Sequence, residues 1–101
     1  MNPAVLYLTK TGRPVKIRRE SQTLPGHVIV TESRADTVVT QCLPLAELVP
    51  LTLAELQHRA APRGWAVAQT ATGYSAMRWG MVRELPDLCA AALFLAAAGV
   101  R

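Results

Sequence analysis

Cysteine and histidine are scarce in this chain of 101 residues, and their scarcity excludes several kinds of site. Cys42 and Cys89 are the only two cysteines and stand 47 positions apart. They have neither the density of a disulfide scaffold nor the close spacing of a zinc site. His27 and His58 have no neighbouring His, Cys or paired acid at ligand spacing. We therefore predict no metal and no cofactor, and a reduced, cytoplasmic compartment.

Catalytic motifs and long apolar runs are absent as well. The sequence contains no glycine-rich phosphate loop, nucleophile elbow or paired-acid motif, and its 7 carboxylates are scattered. The uncharged run from Leu88 to Val100 has 13 residues, well short of the roughly 20 that span a bilayer. The apolar run ending at Leu8 has no basic region before it, unlike a secretory signal. We expect a non-enzymatic protein that does not enter a membrane.

What the sequence does have is a concentration of positive charge. The formal net charge is +4. The first twenty residues carry all of it, because the arginines and carboxylates beyond them are equal in number. The five cations of this segment are candidate binding residues: Lys10, Arg13, Lys16, Arg18 and Arg19. Such a patch attracts phosphate groups or an acidic partner.

Alternating and β-branched runs predict antiparallel hairpins. The predicted strands comprise residues 4–8, 15–18, 27–31, 37–42, 65–70 and 74–83. Glycine and proline mark the turn between the first two strands, and Gly73 lies in the turn between the last two. In the last strand Met77, Trp79 and Met81 alternate on one face, and we expect Trp79 to lie in the core.

Two helices complete the predicted fold. Thr52 and Glu55 have the spacing of a capping box, which starts a helix at Leu53 that continues to residue 60 or 61. Asp87 suits the positive end of a second helix, which continues to about residue 98. The order β-β-β-β-α-β-β-α predicts a single α+β domain over residues 1–101, with both helices on one face of an antiparallel sheet.

The basic hairpin is the first candidate functional site. Lys16 and Arg18 face one way in the second strand. Lys10 and Arg13 lie in the turn at its tip. A two-stranded ribbon of this kind contacts nucleic-acid phosphates without reading their sequence. The alternative is a solvated strand face that discourages edge-to-edge aggregation. The chain's few aromatic residues give no sign of a ring on which bases would stack beside the ribbon.

The C-terminal helix is the second candidate site. Leu93 and Phe94, beside Leu95, spread large apolar groups widely around the helix, so one of them is expected to point away from the sheet. Leu93 and Phe94 are therefore candidate interface residues for a homodimer or another protein, and a buried helix is the alternative. The sequence leaves two hypotheses: a nucleic-acid-associated domain, or a protein-binding adaptor or inhibitor that docks on an acidic surface.

Overall fold

Antiparallel strands and two helices follow one another along the chain in the predicted order. A computed structural model describes residues 6–34 and 36–100. The strands are β1 (Leu6–Leu8), β2 (Pro14–Glu20), β3 (His27–Arg34), β4 (Thr37–Pro44), β5 (Val49–Pro50), β6 (Ala66–Gln69), β7 (Tyr74–Arg78) and β8 (Met81–Leu85). The helices are α1 (Leu53–Ala60) and α2 (Leu88–Ala97). Residues 4 and 5 of the predicted first strand lie outside the described residues.

The strands form two antiparallel sheets. The larger has the order β4-β3-β2-β1-β5, and the smaller has the order β6-β7-β8. The predicted α+β class is confirmed, and the division into two sheets adds to it. Because α2 packs against β2 on one side and against β7 and β8 on the other, it separates the two sheets. One apolar cluster includes Leu8 of β1, Val67 of β6 and Leu95 of α2, so the two sheets and α2 share a core.

Both helices begin at the residues that the sequence marks. Oγ1 of Thr52 accepts a hydrogen bond from the backbone N–H of Glu55 at 3.1 Å, as a capping residue does. The carboxylate of Asp87 accepts one from the backbone N–H of Ala90 at 2.8 Å. The predicted helix starts are therefore confirmed. No helix in the described part of the chain is long and apolar enough to cross a membrane.

A tight turn interrupts the strand predicted over residues 74–83. Trp79 and Gly80 connect β7 to β8 with φ angles of 51° and 79°, and Arg78 pairs with Met81 across them. Positive φ at both central residues is the mark of a two-residue hairpin turn. The expectation that Trp79 lies in the core is wrong, because its side chain is 84% exposed at the tip of this hairpin.

The large sheet has a second, smaller apolar cluster on the side away from α2. Val15, Val28 and Val30 form it together with Leu48, which follows β4 in the chain. The face of β2 and β3 away from α2 is therefore constrained by packing near β1. Since β2, β3 and β4 also pair over long stretches, they form a rigid base for the polar side chains on the other face of the sheet.

Candidate functional site

The five cations singled out in the sequence do not lie together. Lys16, Arg18 and Arg19 belong to β2, whereas Lys10 is in the β1–β2 turn. Arg13 is paired with an acid of β3. The predicted patch is thus divided: its β2 members share one surface, and Lys10 and Arg13 line a second one beside Glu32.

A β-bulge brings the β2 cations to the same face of the large sheet. The pairing of β2 with β3 shifts between Ile17 and Arg19, which leaves Arg18 as the extra residue. Two successive residues at a bulge oppose one residue of the partner strand. Nε of Arg18 donates a hydrogen bond to Oγ1 of Thr31 at 2.9 Å. Lys16 pairs with Thr31 in the ladder, so both cations are on the Thr31 side.

We call this surface the cationic face; its polar members are Lys16, Arg18, Arg19, Thr31, Ser33 and Thr40. Arg19 joins it because its partner Ile29 and Thr31 are two residues apart in β3, and strand side chains alternate between faces. Simple alternation along β2 would have placed Arg19 on the opposite side. The bulge therefore adds a third cation to the surface that the sequence predicted.

The cations of this face keep their charge uncompensated. In the described residues of β2, β3 and β4, both carboxylates, Glu20 and Glu32, lie on the opposite face of the sheet. The salt bridges found in residues 6–34 and 36–100 involve none of the three cations. A surface that has cations and hydroxyl groups but no carboxylate attracts anions.

A groove of about 190 Å³ separates the cationic face from α2. Lys16 and Arg18 line it from the sheet, and Cys89 and Leu93 line it from the helix. Burial raises the pKa of the Cys89 thiol, the charge of Asp87 raises it further, and Lys16 opposes part of the shift. Because the thiolate is the nucleophilic form, Cys89 is not an activated nucleophile.

Arg13 belongs to a network around a buried acid on the opposite face of the sheet. The Glu32 side chain is 1% exposed and accepts hydrogen bonds from Nε of Arg13 at 2.6 Å and Nε of Arg34 at 2.9 Å. Nε2 of Gln41 donates another at 3.0 Å. Burial alone raises the pKa of Glu32, but the hydrogen bonds and charges of Arg34 and Arg13 together hold it below its ordinary value. Arg13 therefore points to the Glu32 carboxylate, which it shares with Arg34, and away from the cationic face.

Lys10 lies between the Glu32 network and α1. It is exposed in the β1–β2 turn and lines a shallow surface with Arg59 and Arg63. Nη1 of Arg59 donates a hydrogen bond to the carbonyl of Thr9 at 2.8 Å, which fixes this turn against α1. The turn therefore contributes Lys10 to the α1 side and not to the cationic face.

Leu93 and Phe94, the predicted interface residues of α2, point in different directions. Leu93 is 36% exposed and faces the groove. Phe94 packs edge-on against Trp65, with ring centroids 5.3 Å apart, and the guanidinium of Arg83 covers it at 5.5 Å. These two residues do not form one apolar surface.

Sequence reasoning missed a group of exposed apolar side chains on the β7–β8 hairpin. Met77 and Val82 are 40% and 62% exposed on one face, Met81 is 60% exposed on the other face opposite Arg78, and Trp79 at the tip is more exposed still. Met77 and Val82 are direct cross-strand neighbours on the outer face of the small sheet. The signal available in the sequence was Gly80, since a lone glycine inside a strand pattern indicates a bulge or a turn.

No family model, curated protein or solved structure matches this chain. Within residues 6–34 and 36–100, no group of three His, Cys, Asp or Glu side chains is arranged to hold a metal ion. The surfaces described above are therefore the basis on which a function can be proposed.

Proposed function

We propose that this protein is a non-enzymatic binding module that contacts nucleic-acid phosphates through the cationic face. The convergence of Lys16, Arg18 and Arg19 on one acid-free side of the sheet carries this proposal. A cytoplasmic location is part of it, since Cys42 and Cys89 are both free thiols, as is usual in a reducing compartment.

The chemistry of the face suits phosphate. Arginine presents a planar fork of donors that matches phosphate oxygens, and lysine adds a compact charge. Arg18 is held in place by its hydrogen bond to Thr31, so less side-chain entropy is lost when it binds. Contacts of this kind give affinity without sequence readout. We therefore propose binding that tolerates any sequence and weakens as salt rises.

Replacing both Lys16 and Arg19 with alanine is expected to weaken binding to single-stranded DNA of about 20 nucleotides and to flatten its salt dependence. Each lost phosphate contact removes about 0.7 from the slope of log affinity against log salt, so the double variant loses roughly 1.4. Fluorescence anisotropy titrations between about 50 and 200 mM salt measure both effects.

The matched control for this experiment is the Lys10→Ala, Arg63→Ala double variant. It removes the same formal charge from exposed positions beside α1. We expect its salt slope to stay close to that of the wild type. Equal losses in the two variants would mean that only net charge matters, and the cationic face would not be the site.

A second candidate function is protein binding. The β7–β8 hairpin is a better candidate interface for it than α2, because its side chains are more exposed. Tryptophan, methionine and arginine are enriched in protein interfaces, and this hairpin presents all three types. Arg78 and Arg83 lie on the hairpin face opposite to Met77 and Val82. A partner with an apolar centre and acidic groups around it would complement the hairpin, and a second copy of the chain is the partner that can be tested directly.

If this hairpin mediates self-association, Val82→Lys is expected to give a monomer where the wild type is a dimer. Val82 is 62% exposed, so the substitution places a charge in the interface at little cost to the fold. Light scattering over a range of protein concentrations measures the change. A wild type that stays monomeric at every concentration would rule out the homodimer.

A further inference from the structure

Trp79 is the one residue of the described chain that combines a large aromatic ring, nearly full exposure and a left-handed backbone. Its side chain is 84% exposed, and its φ is 51°. We propose that Trp79 is a stacking platform for an unpaired nucleobase, so that the protein prefers single-stranded nucleic acid. This inference rests on the proposed function, because it assumes that the ligand is a nucleic acid.

The backbone of Trp79 indicates that its side chain is kept for a reason other than stability. Two-residue hairpin turns with positive φ at both positions favour asparagine, aspartate or glycine at the first of them. A bulky residue in this region is strained, and such strain is concentrated at functional sites. Gly80, the second central residue, has the type that the turn favours. The unfavourable residue is therefore also the exposed aromatic one.

The two sides of the Trp79 ring are in different environments. The guanidinium of Arg78 lies over the ring at 3.9 Å from its centroid, and the high exposure of the ring leaves the other side to solvent. Arg78 is also 5.7 Å from the ring of Trp65, whose side chain is buried. Contacts with two rings thus hold the arginine in place. A base stacked on the open side of Trp79 would complete a sandwich of base, ring and cation.

The charge beside the ring favours a nucleotide over an apolar protein surface. Nε of Arg78 is buried without a hydrogen-bond partner among the described residues, and no salt bridge there includes Arg78. Arg83 lies on the same side of the hairpin, whereas Glu84 lies on the other. A stacked base would therefore bring its phosphate close to positive charge that no acid compensates.

The position of the hairpin explains why duplex DNA would not bind to Trp79 and the cationic face at the same time. The helix α2 lies between β2, which carries the cationic face, and the β7–β8 hairpin. A ligand that reaches both must bend around the helix, which a flexible single strand does easily. A base in a duplex must also leave its stack before it can stack on Trp79, at a cost in free energy.

The experiment compares single-stranded and double-stranded DNA of the same length as ligands for the wild type and the Trp79→Leu and Trp79→Tyr variants. The longest dimension of the protein, 48 Å, corresponds to about 14 nucleotides at 3.4 Å each, so a strand of about 20 nucleotides is long enough. Tryptophan fluorescence is a second readout, because Trp65 is only 6% exposed and Trp79 alone is open to a base.

We expect Trp79→Leu to lose roughly 5- to 150-fold in affinity for the single strand and almost nothing for the duplex. Trp79→Tyr, which keeps an aromatic face, should retain most of the affinity. The wild-type fluorescence should change when the single strand binds. We also expect Trp79→Asn to raise the melting temperature while it loses single-strand affinity, since asparagine suits the turn.

Wild-type affinity for the single strand in Trp79→Leu would overturn the inference. So would equal losses for single strand and duplex, or a change in self-association in place of a change in DNA affinity, because the ring would then be a protein contact. If the Lys16→Ala, Arg19→Ala variant still loses affinity in those cases, the proposed function stands and only the stacking role of Trp79 fails. If no DNA binds the wild type, both fail.

Discussion

Replacing Glu32 with glutamine is expected to lower the free energy of unfolding by about 2 to 3 kcal/mol, measured by urea denaturation. The carboxylate is almost fully buried and accepts hydrogen bonds from three side chains. The amide of glutamine has the same size but turns one acceptor into a donor, which would face the guanidinium of Arg13 or Arg34. Both arginines are partly exposed, so water recovers some of the loss and the cost stays at the lower end for a buried pair.

The same substitution is expected to remove one component of the acid sensitivity of the fold. The pKa of Glu32 is lower in the folded protein than its ordinary value. A carboxyl group with a lowered pKa contributes stability that is complete above its unfolded pKa and is lost as the pH falls through its folded pKa. The difference in unfolding free energy between wild type and Glu32→Gln should therefore shrink as the pH is lowered below about 4.5.

Glu20→Gln is the matched control for this measurement. Glu20 lies on the same face of the sheet as Glu32, but it is exposed and has no salt bridge in the described structure. Its substitution should change the free energy of unfolding by less than about 0.5 kcal/mol. If the two variants were equally stable at neutral pH, the Glu32 network would be a consequence of the fold and not a support for it.

Local sequence signals account for the parts of the fold that depend on neighbouring residues. A side chain that caps its own helix acts over three positions, so Thr52 with Glu55 and Asp87 could be recognised without knowledge of the tertiary structure. The β-branched runs that became β3 and β4 are equally local. These elements were predicted because their stabilising contacts are short-range in the chain.

The features that shape the candidate site depend on partners far away in the chain. The bulge at Arg18 arises from the pairing of β2 with β3, and the sequence of β2 alone contains no sign of it. Arg13 is 19 residues from Glu32, so a count of charge along the chain could not show that the two form a salt bridge. The structure therefore divides the predicted cationic patch: Lys10 and Arg13 lie away from the β2 cations, and the bulge brings Arg19 to the same face as Lys16 and Arg18.

The β7–β8 hairpin shows a different limit. The residues on either side of Trp79 alternate as they would in a single strand. The sequence pattern therefore fits one continuous strand with a buried tryptophan as well as it fits a hairpin that turns at Trp79. Gly80 was the local sign of a turn, but the large apolar area of tryptophan favours burial when nothing else is known. When a bulky aromatic residue occupies a strained turn, the expectation from burial fails, as Trp79 shows.

Phe94→Ala is expected to destabilise the protein by about 3 kcal/mol, whereas Leu93→Ala next to it should cost less than about 1 kcal/mol. Phe94 loses its edge-on contact with the Trp65 ring and leaves a cavity between α2 and the small sheet. Leu93 faces the groove and is partly solvated already. Thermal and urea unfolding of the two variants give the comparison.

A large loss of stability in Phe94→Ala and a small one in Leu93→Ala would establish that α2 is a core helix with one partly open side. Helix propensity contributes about equally to both free energies of unfolding, because both variants introduce alanine into the same turn of α2. Equal, small losses would mean that Phe94 is dispensable for packing and available to a partner, as the sequence alone allowed. A large loss only in Phe94→Ala would assign Phe94 to the core and remove it from the candidate interface residues.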